Sequence, residues 1–244
     1  MPLIAKNQVI GTGTLFQADG RHFIITAGHL AQDFERYGLR VPSAPRRARI
    51  LVAGPGTITS WNKHDVAVFE IASPEVAATL KAGWSFLSLG NVWLNVELRG
   101  AFFLLFGYPT AHCGQDDSGI RGSPLPLVTS PFLGVPAGLA FDEPYHEKAD
   151  FFLEHARTTV DLESGVLSEL APLGGMSGCP LWALRRPDGA SDAAAQSSGL
   201  WVPGEDARII AIQSGVSPGK WIRCKRWWTV DRVLRKLGVV VQPT

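Results

Sequence analysis

The stretch Gly174-Gly175-Met176-Ser177-Gly178-Cys179-Pro180 carries the strongest signal in this chain of 244 residues. Glycines on both sides of a serine let the backbone turn tightly, and such a turn can direct main-chain amides at a reacting oxygen. The stretch therefore predicts a serine nucleophile with its own oxyanion hole.

Two motifs upstream supply the partners that a serine nucleophile needs. Thr26-Ala27-Gly28-His29 ends in a histidine, and His64-Asp65-Val66-Ala67-Val68 places an aspartate before an apolar strand. A serine hydroxyl needs an adjacent base during attack, and the ordinary pKa of histidine suits that role. We expect His29 to act as general base and then general acid, and Asp65 to orient its imidazole.

These three motifs follow the order His, Asp, Ser, which differs from the order in subtilisins and in α/β-hydrolases. In motifs and order the chain resembles the chymotrypsin/trypsin-like serine peptidases, and among them bacterial, intracellular members with few cysteines. The family signatures are Thr-Ala-x-His, an Asp before an apolar strand, and Gly-x-Ser-Gly-x-Pro, and they extend over most of the chain. The resemblance implies a serine endopeptidase that hydrolyses peptide bonds through an acyl-enzyme.

The resemblance also implies the architecture. The expected fold is all-β, with two antiparallel Greek-key β-barrels and a C-terminal helix. The N-terminal barrel would occupy residues 1–90 and carry His29 and Asp65, the second barrel residues 91–228 with Ser177, and the helix and tail residues 229–244. The oxyanion hole implied by the family pattern consists of the backbone amides of Gly175 and Ser177.

Local patterns agree with a fold of short strands. Val9 to Gln17 and Phe23 to Thr26 read as strands joined by a turn at Asp19-Gly20, which is a hairpin signal. Ser73-Pro74 predicts a capped helix start. Near the C-terminus, apolar residues recur with helical spacing and predict one helix face; they are Val230, Val233, Leu234 and Leu237.

Substrate preference follows only from the resemblance, which places the floor of the primary specificity pocket at Ala171. Its walls would be Gly215 and Gly219, and Gln213 is also assigned to substrate binding. An uncharged floor with glycine walls predicts an apolar or medium-sized residue before the scissile bond, rather than Arg or Lys. An acidic group reaching in from a differently shaped loop, Glu163 or Glu169, is the alternative.

The chain departs from the family at the residue before the nucleophile. Digestive members have an aspartate there that pairs with a newly cut N-terminus, whereas this chain has Met176. We therefore expect no N-terminal cleavage switch. Activity is then either constitutive or controlled by a protein partner, an attached assembly or the long loop between Leu184 and Ala207. Control by a regulatory protein partner is the preferred expectation, because an unrestrained peptidase inside a cell would be toxic.

Composition excludes several other classes. The formal net charge of +1 gives no electrostatic case for nucleic acid or an acidic membrane surface. No apolar run approaches the length of about 18 residues that would indicate a membrane span, and no signal peptide is recognised. Three cysteines, Cys113, Cys179 and Cys224, are too few for the disulfide framework of secreted relatives. We expect a cytoplasmic protein that acts on protein or peptide substrates.

No metal or cofactor is expected, since neither His-x-x-x-His nor Cys-x-x-Cys spacing occurs. Cys179 lies two residues past Ser177 and is interpreted as a small buried residue. The stretch from Leu184 to Ala207 is interpreted as a mobile surface insertion, with an exosite or a lid as the alternative. A protease-fold binding module that has lost its chemistry is the alternative function.

Overall fold

The structure is a computed structural model of the chain. It describes residues 1–45, 50–52, 58–94, 102–116, 119–136, 144–160, 165–184 and 207–240. This part of the chain consists mainly of antiparallel strands, with a helix near its C-terminal end. The all-β fold with β-barrel character and a C-terminal helix is confirmed. The finer assignment to two Greek-key barrels stays a prediction, and so do the domain boundaries at residues 90 and 228.

The first eight strands form two four-stranded antiparallel sheets, ordered β2-β1-β5-β6 and β3-β4-β8-β7. The strands are β1 (Pro2–Ala5), β2 (Gln8–Thr12), β3 (Thr14–Ala18), β4 (Arg21–Ala27), β5 (Arg40–Pro42), β6 (Ile50–Val52), β7 (Ile58–Trp61) and β8 (Val66–Glu70).

The single strand predicted over Val9 to Gln17 is split at Gly13 into β2 and β3. A Cβ at Gly13 would lie 2.7 Å from the Leu3 side chain and 2.8 Å from that of Ile24. Close approach of these side chains therefore requires a glycine, and there the chain passes from one sheet to the other. The turn at Asp19-Gly20 is confirmed: both residues have positive φ, +49° and +71°, which is the conformation of a tight hairpin turn.

The remaining ten strands include a six-stranded antiparallel sheet ordered β12-β9-β16-β17-β18-β13, and two hairpins, β10-β11 and β14-β15. The strands are β9 (Phe102–Gly107), β10 (Cys113–Asp116), β11 (Gly119–Gly122), β12 (Leu125–Thr129), β13 (Asp150–Glu154), β14 (Thr158–Val160), β15 (Leu167–Glu169), β16 (Pro180–Leu184), β17 (Ala207–Ser217) and β18 (Trp221–Arg226).

The six-stranded sheet curls back on itself. Pro131, two residues beyond β12, forms an antiparallel bridge with Leu153 of β13, and the Phe132 N–H donates to the Phe152 carbonyl at 2.9 Å. The two outermost strands of the sheet are thereby brought together, which gives the sheet its barrel character. We name it the C-terminal barrel.

Among the described residues, three α-helices flank the sheets: α1 (Ala31–Tyr37), α2 (Pro74–Gly83) and α3 (Trp227–Lys236). The predicted cap of α2 is confirmed, because the Val76 N–H donates to Ser73 Oγ at 3.2 Å and Pro74 is the first helical residue. Helix α1 was not predicted from the sequence.

Helix α3 begins at Trp227, two residues before the predicted boundary. Three residues of its predicted apolar face, Val230, Val233 and Leu234, are fully buried. The fourth, Leu237, follows the last helical residue and is partly buried. The Trp227 ring lies 5.3 Å from the Phe16 ring of β3. The C-terminal helix therefore packs into a core that it shares with the N-terminal sheets.

All three cysteines are free, and Cys179 is fully buried, as interpreted from the sequence. In the part of the chain that the structure describes, no helix has the length and apolar character needed to cross a membrane. The insertion predicted between Leu184 and Ala207 lies outside the described residues apart from its two ends, and so does Glu163.

Candidate active site

His29 stands at the end of β4, on a short 3-10 turn formed by Gly28–Leu30. A Cβ at Gly28 would lie 2.8 Å from the Val66 nitrogen and 2.9 Å from the Asp65 carbonyl carbon. Only a glycine allows this turn to approach the start of β8 so closely. The His29 side chain remains about half exposed, at 48%, and is accessible to a substrate.

Asp65 holds His29 by three contacts. The His29 N–H donates to Asp65 Oδ1 at 2.6 Å, and His29 Nδ1 lies 3.1 Å from each of the two carboxylate oxygens. Because a carboxylate only accepts hydrogen bonds, Nδ1 carries the ring proton and Nε2 is the nitrogen that can accept one. The structure thus brings the predicted base and its predicted orienting residue together.

The backbone of Asp65 is itself unusual, with a φ of +47°. This left-handed conformation is costly for most residues but is tolerated by Asp and Asn, whose short polar side chains bond locally. The local conformation turns the carboxylate toward the backbone and ring of His29. The side chain is only 12% exposed.

The nucleophile loop, residues 173–179, is anchored to the N-terminal sheets by its main chain. The Thr12 N–H donates to the Ser177 carbonyl at 2.8 Å, and Thr12 Oγ1 donates to the Gly175 carbonyl at 3.0 Å. Thr26, three residues before His29, donates through its hydroxyl to the Thr12 carbonyl at 2.9 Å. Thr12 therefore connects the loop to the strand that carries His29.

Gly11 makes the proximity of Ser177 and His29 more definite. A Cβ at Gly11 would lie 3.2 Å from the Ser177 carbonyl oxygen and 2.3 Å from Leu30 Cδ1. Leu30 follows His29 directly. The Ser177 carbonyl and the side chain of Leu30 thus both lie close to Gly11, so the loop that contains Ser177 runs beside the residue that follows His29.

The amides of the nucleophile loop divide into two sets. Those of Met176, Gly178 and Cys179 donate to the carbonyls of Leu173, Gln213 and Met176, at 3.1, 2.8 and 2.8 Å. Within the described residues, the amides of Leu173, Gly174, Gly175 and Ser177 donate to no protein group. The last two are the pair that the sequence assigns to the oxyanion hole.

Gly175 has a φ of +90°, and a Cβ there would lie 2.7 Å from the Thr110 nitrogen and 2.8 Å from the Tyr108 carbonyl. We expect Gly175→Ala to turn its amide away and to lower kcat by about 100- to 1000-fold, the usual cost of losing one oxyanion donor. Steady-state hydrolysis of a peptide measures this.

Gly174 supplies the matched control. It has no positive φ, and a Cβ there would meet nothing within 4 Å. Gly174→Ala should therefore keep nearly full activity. Equal activity of the two variants would contradict the assignment of Gly175.

The predicted specificity residues lie in two places. Gln213 and Gly215 are in β17, directly behind the nucleophile loop, because the Gln213 N–H donates to the Cys179 carbonyl at 2.9 Å. Ala171 is half-buried just before that loop. Gly219 is in the turn between β17 and β18, where a Cβ would lie 2.5 Å from Arg157 Nε. Glu169, the alternative acidic group, is exposed at the end of β15.

Sequence reasoning missed a buried ion cluster formed by Asp150, Arg223 and Lys225. Asp150 Oδ2 accepts from Arg223 at 2.6 Å and Oδ1 accepts from Lys225 Nζ at 2.6 Å, with all three side chains at most 2% exposed. Burial alone would raise the pKa of Asp150, but the two cations hold it below its ordinary value. Nothing in the sequence pairs these residues, since Asp150 is more than 70 positions from both cations.

His64 precedes Asp65 in the sequence and lies close to this ion cluster. It is 7% exposed, and its ring centroid lies 4.7 Å from that of His146 and 6.0 Å from that of Trp228. Burial, followed by the nearby charges of His146 and Lys225, lowers the pKa of His64 to about 4. The residue is therefore a neutral packing element beside the predicted site.

This lowered pKa predicts an acid-sensitive fold. Between pH 6.5, the ordinary histidine pKa, and pH 4 the unfolded chain binds a proton at His64 that the folded protein does not, so stability falls as the pH falls. The loss from His64 should reach about 3 kcal/mol at most. Chemical denaturation at pH 7 and pH 4.5 measures it.

His64→Phe, which keeps an aromatic ring but does not titrate, should lose less stability on acidification than the unmodified protein. The matched control is His112→Phe, because His112 is exposed. An acid response of His64→Phe that equals the unmodified protein's would contradict the assignment to His64.

The comparisons with known proteins add little. No protein-family model and no curated protein matches the chain. Among the solved structures that are similar to this chain, one has a TM-score of 0.45 and 16% sequence identity, over 94% of this chain and 87% of the other. It comes from work on how aromatic interactions drive the coupled folding and binding of the intrinsically disordered Sesbania mosaic virus VPg protein. A likeness at this level carries no functional argument, and the assignment of a function depends on the site itself.

Proposed function

We propose that the chain is a serine endopeptidase of the chymotrypsin-like type, acting through an acyl-enzyme. The observation that carries the proposal is the double approach of His29 Nδ1 to the Asp65 carboxylate, at 3.1 Å to each oxygen. That geometry sets the tautomer that leaves Nε2 able to accept a proton. The anchoring of the loop that contains Ser177 beside the residue that follows His29 supports it.

The reaction would begin with attack of Ser177 Oγ on the carbonyl carbon of the scissile bond. His29 Nε2 takes the hydroxyl proton, and the carboxylate of Asp65 stabilises the imidazolium that forms. The amides of Gly175 and Ser177 donate to the oxyanion of the tetrahedral intermediate. His29 then gives its proton to the leaving amine, and a water molecule, deprotonated in the same way, hydrolyses the acyl-enzyme.

The position before the nucleophile bears on how the activity is controlled. Met176 is fully buried in the apolar core of the C-terminal barrel, against Gly107. A thioether cannot form an ion pair with an ammonium group, so control through such a pair at this position is not proposed. In this proposal a regulatory protein partner in the cytoplasm restrains the peptidase activity.

Labelling with a fluorophosphonate probe tests the proposal. Covalent labelling is expected in the intact protein and should be lost in Ser177→Ala. The matched control is Ser214→Ala: Ser214 is a buried serine nearby on β17, and its hydroxyl donates to the Arg223 carbonyl. This variant should still be labelled. If the intact protein is not labelled, alone or with a cell extract that supplies partners, the peptidase proposal is overturned in favour of a binding module.

A further inference from the structure

One buried polar atom beside the nucleophile loop has no partner. Gln213 is 2% exposed, and within the described residues its Oε1 accepts no hydrogen bond. More than nine in ten buried polar groups in proteins are satisfied, and an orphaned one costs about 1 to 3 kcal/mol. This oxygen lies next to the candidate nucleophile loop, where a hydrogen-bond donor of the substrate could satisfy it.

The backbone of Gln213 fixes where its side chain lies. Its carbonyl accepts from the Gly178 N–H at 2.8 Å and its N–H donates to the Cys179 carbonyl at 2.9 Å, so it borders the two residues that follow Ser177. In the β17-β18 pairing, Gln213 lies opposite Cys224. Directly opposed residues share one face of a sheet, and Cys224 is fully buried in the core of the C-terminal barrel.

The surroundings favour a neutral group over a charged one. Ala171, the floor of the predicted pocket, has no charge to offer a cation. Within the described residues of this barrel, Asp150 is a buried carboxylate, and both of its oxygens are already engaged by Arg223 and Lys225. A substrate cation would find no free counter-charge in Asp150, and burying an unpaired charge is strongly unfavourable. A substrate carboxylate could accept from the Gln213 NH₂ but would leave Oε1 without a donor.

We propose that Gln213 makes this site prefer a primary amide side chain, Gln or Asn, immediately before the scissile bond. The carboxamide of Gln213 has both an acceptor and a donor, so a substrate amide can pair with both, whereas a hydroxyl or an apolar side chain satisfies fewer of these groups. This inference rests on the proposed peptidase function. It narrows the expected medium-sized, uncharged residue to one chemical class.

Matched peptides that differ only in the residue before the scissile bond test the inference. With Gln, Met, Glu and Lys compared at that position, kcat/KM should be about 10- to 100-fold higher for Gln than for Met, because the apolar peptide leaves Oε1 without a donor. Gln213→Leu should abolish the preference by slowing cleavage of the Gln peptide while sparing the Met peptide. The matched control, Gln8→Leu, changes an exposed glutamine of β2 and should keep it.

Fluorophosphonate labelling separates the two ways of failing. If the protein is labelled but prefers Met, Glu or Lys, or if Gln213→Leu is labelled normally and keeps the Gln preference, this inference is overturned and the peptidase proposal stands. If the protein is neither labelled nor cleaves any of the peptides, the peptidase proposal fails and takes the inference with it. If Gln213→Leu does not fold, the preference of the unmodified protein among the four peptides tests the inference by itself.

Discussion

Asp65→Asn is expected to lower kcat by about 10⁴-fold with little change in the fold, as expected when a carboxylate that orients a catalytic histidine is replaced by an amide. The His29 N–H keeps the amide oxygen as its acceptor, so the amide NH₂ faces His29 Nδ1 and donates to it. The imidazole then adopts the Nε2–H tautomer and loses the atom that would accept the proton of Ser177. Asn tolerates the φ of +47° as well as Asp does. The measurement is kcat on the best peptide from a cleavage library, with circular dichroism to verify folding.

Asp19→Asn is the matched control for this change. Asp19 also has a positive φ, +49°, but it lies in the hairpin turn between β3 and β4, where its carboxylate accepts from the Val240 N–H. It should retain full kcat. If Asp65→Asn loses less than about tenfold, Asp65 does not orient His29 in the reaction, since a true orienting role predicts a loss near 10⁴.

Asp150→Ala should be the most destabilising single substitution proposed for this protein. It removes the carboxylate that Arg223 and Lys225 share and leaves both cations buried without it. Breaking a buried ion pair from one side costs about 3 to 5 kcal/mol, a large part of the 5 to 15 kcal/mol that typically holds a domain folded. Urea denaturation gives the loss, and a low yield of folded protein would agree with it.

Arg235→Ala is the control for Asp150→Ala. It breaks a half-exposed ion pair with Asp231 on α3, at a cost of about 0.5 kcal/mol. A triple variant, Asp150→Leu with Arg223→Met and Lys225→Met, should be less destabilised than Asp150→Ala, since replacing a whole buried ion cluster by apolar side chains leaves no buried cation without its carboxylate. A single variant as stable as Arg235→Ala would show that the cluster contributes little.

Local sequence signals predicted the elements whose causes are local. The hairpin turn needs two positive φ values, and Asp-Gly, here Asp19-Gly20, is a residue pair that adopts them readily. Ser73 and Pro74 mark the start of α2 because the cap and the first turn are satisfied within a few residues. The split of one predicted strand at Gly13 depends instead on Leu3 and Ile24, whose approach is a tertiary event.

The residues of the candidate site also differ in whether local sequence could predict them. His29, Asp65 and Ser177 were found from short motifs and their order, and the structure adds the contact between the first two. Thr12, which fixes the nucleophile loop, carries no motif, because its role depends on the loop folding back onto β2 over more than 160 residues. The orphaned oxygen of Gln213 is likewise a property of packing, since a sequence does not show which amides find partners.

The bonds of Thr12 to the nucleophile loop have a consequence for the time at which activity could first arise. Synthesis starts at the N-terminus, so the His29 and Asp65 pair emerges from the ribosome well before the loop that contains Ser177. In the folded protein the main chain of this loop is hydrogen-bonded to Thr12 at the end of β2, so its geometry depends on the N-terminal sheets. Under the proposed function, a nascent or truncated chain would be harmless to its neighbours, and hydrolysis would begin only after the two parts of the protein have assembled.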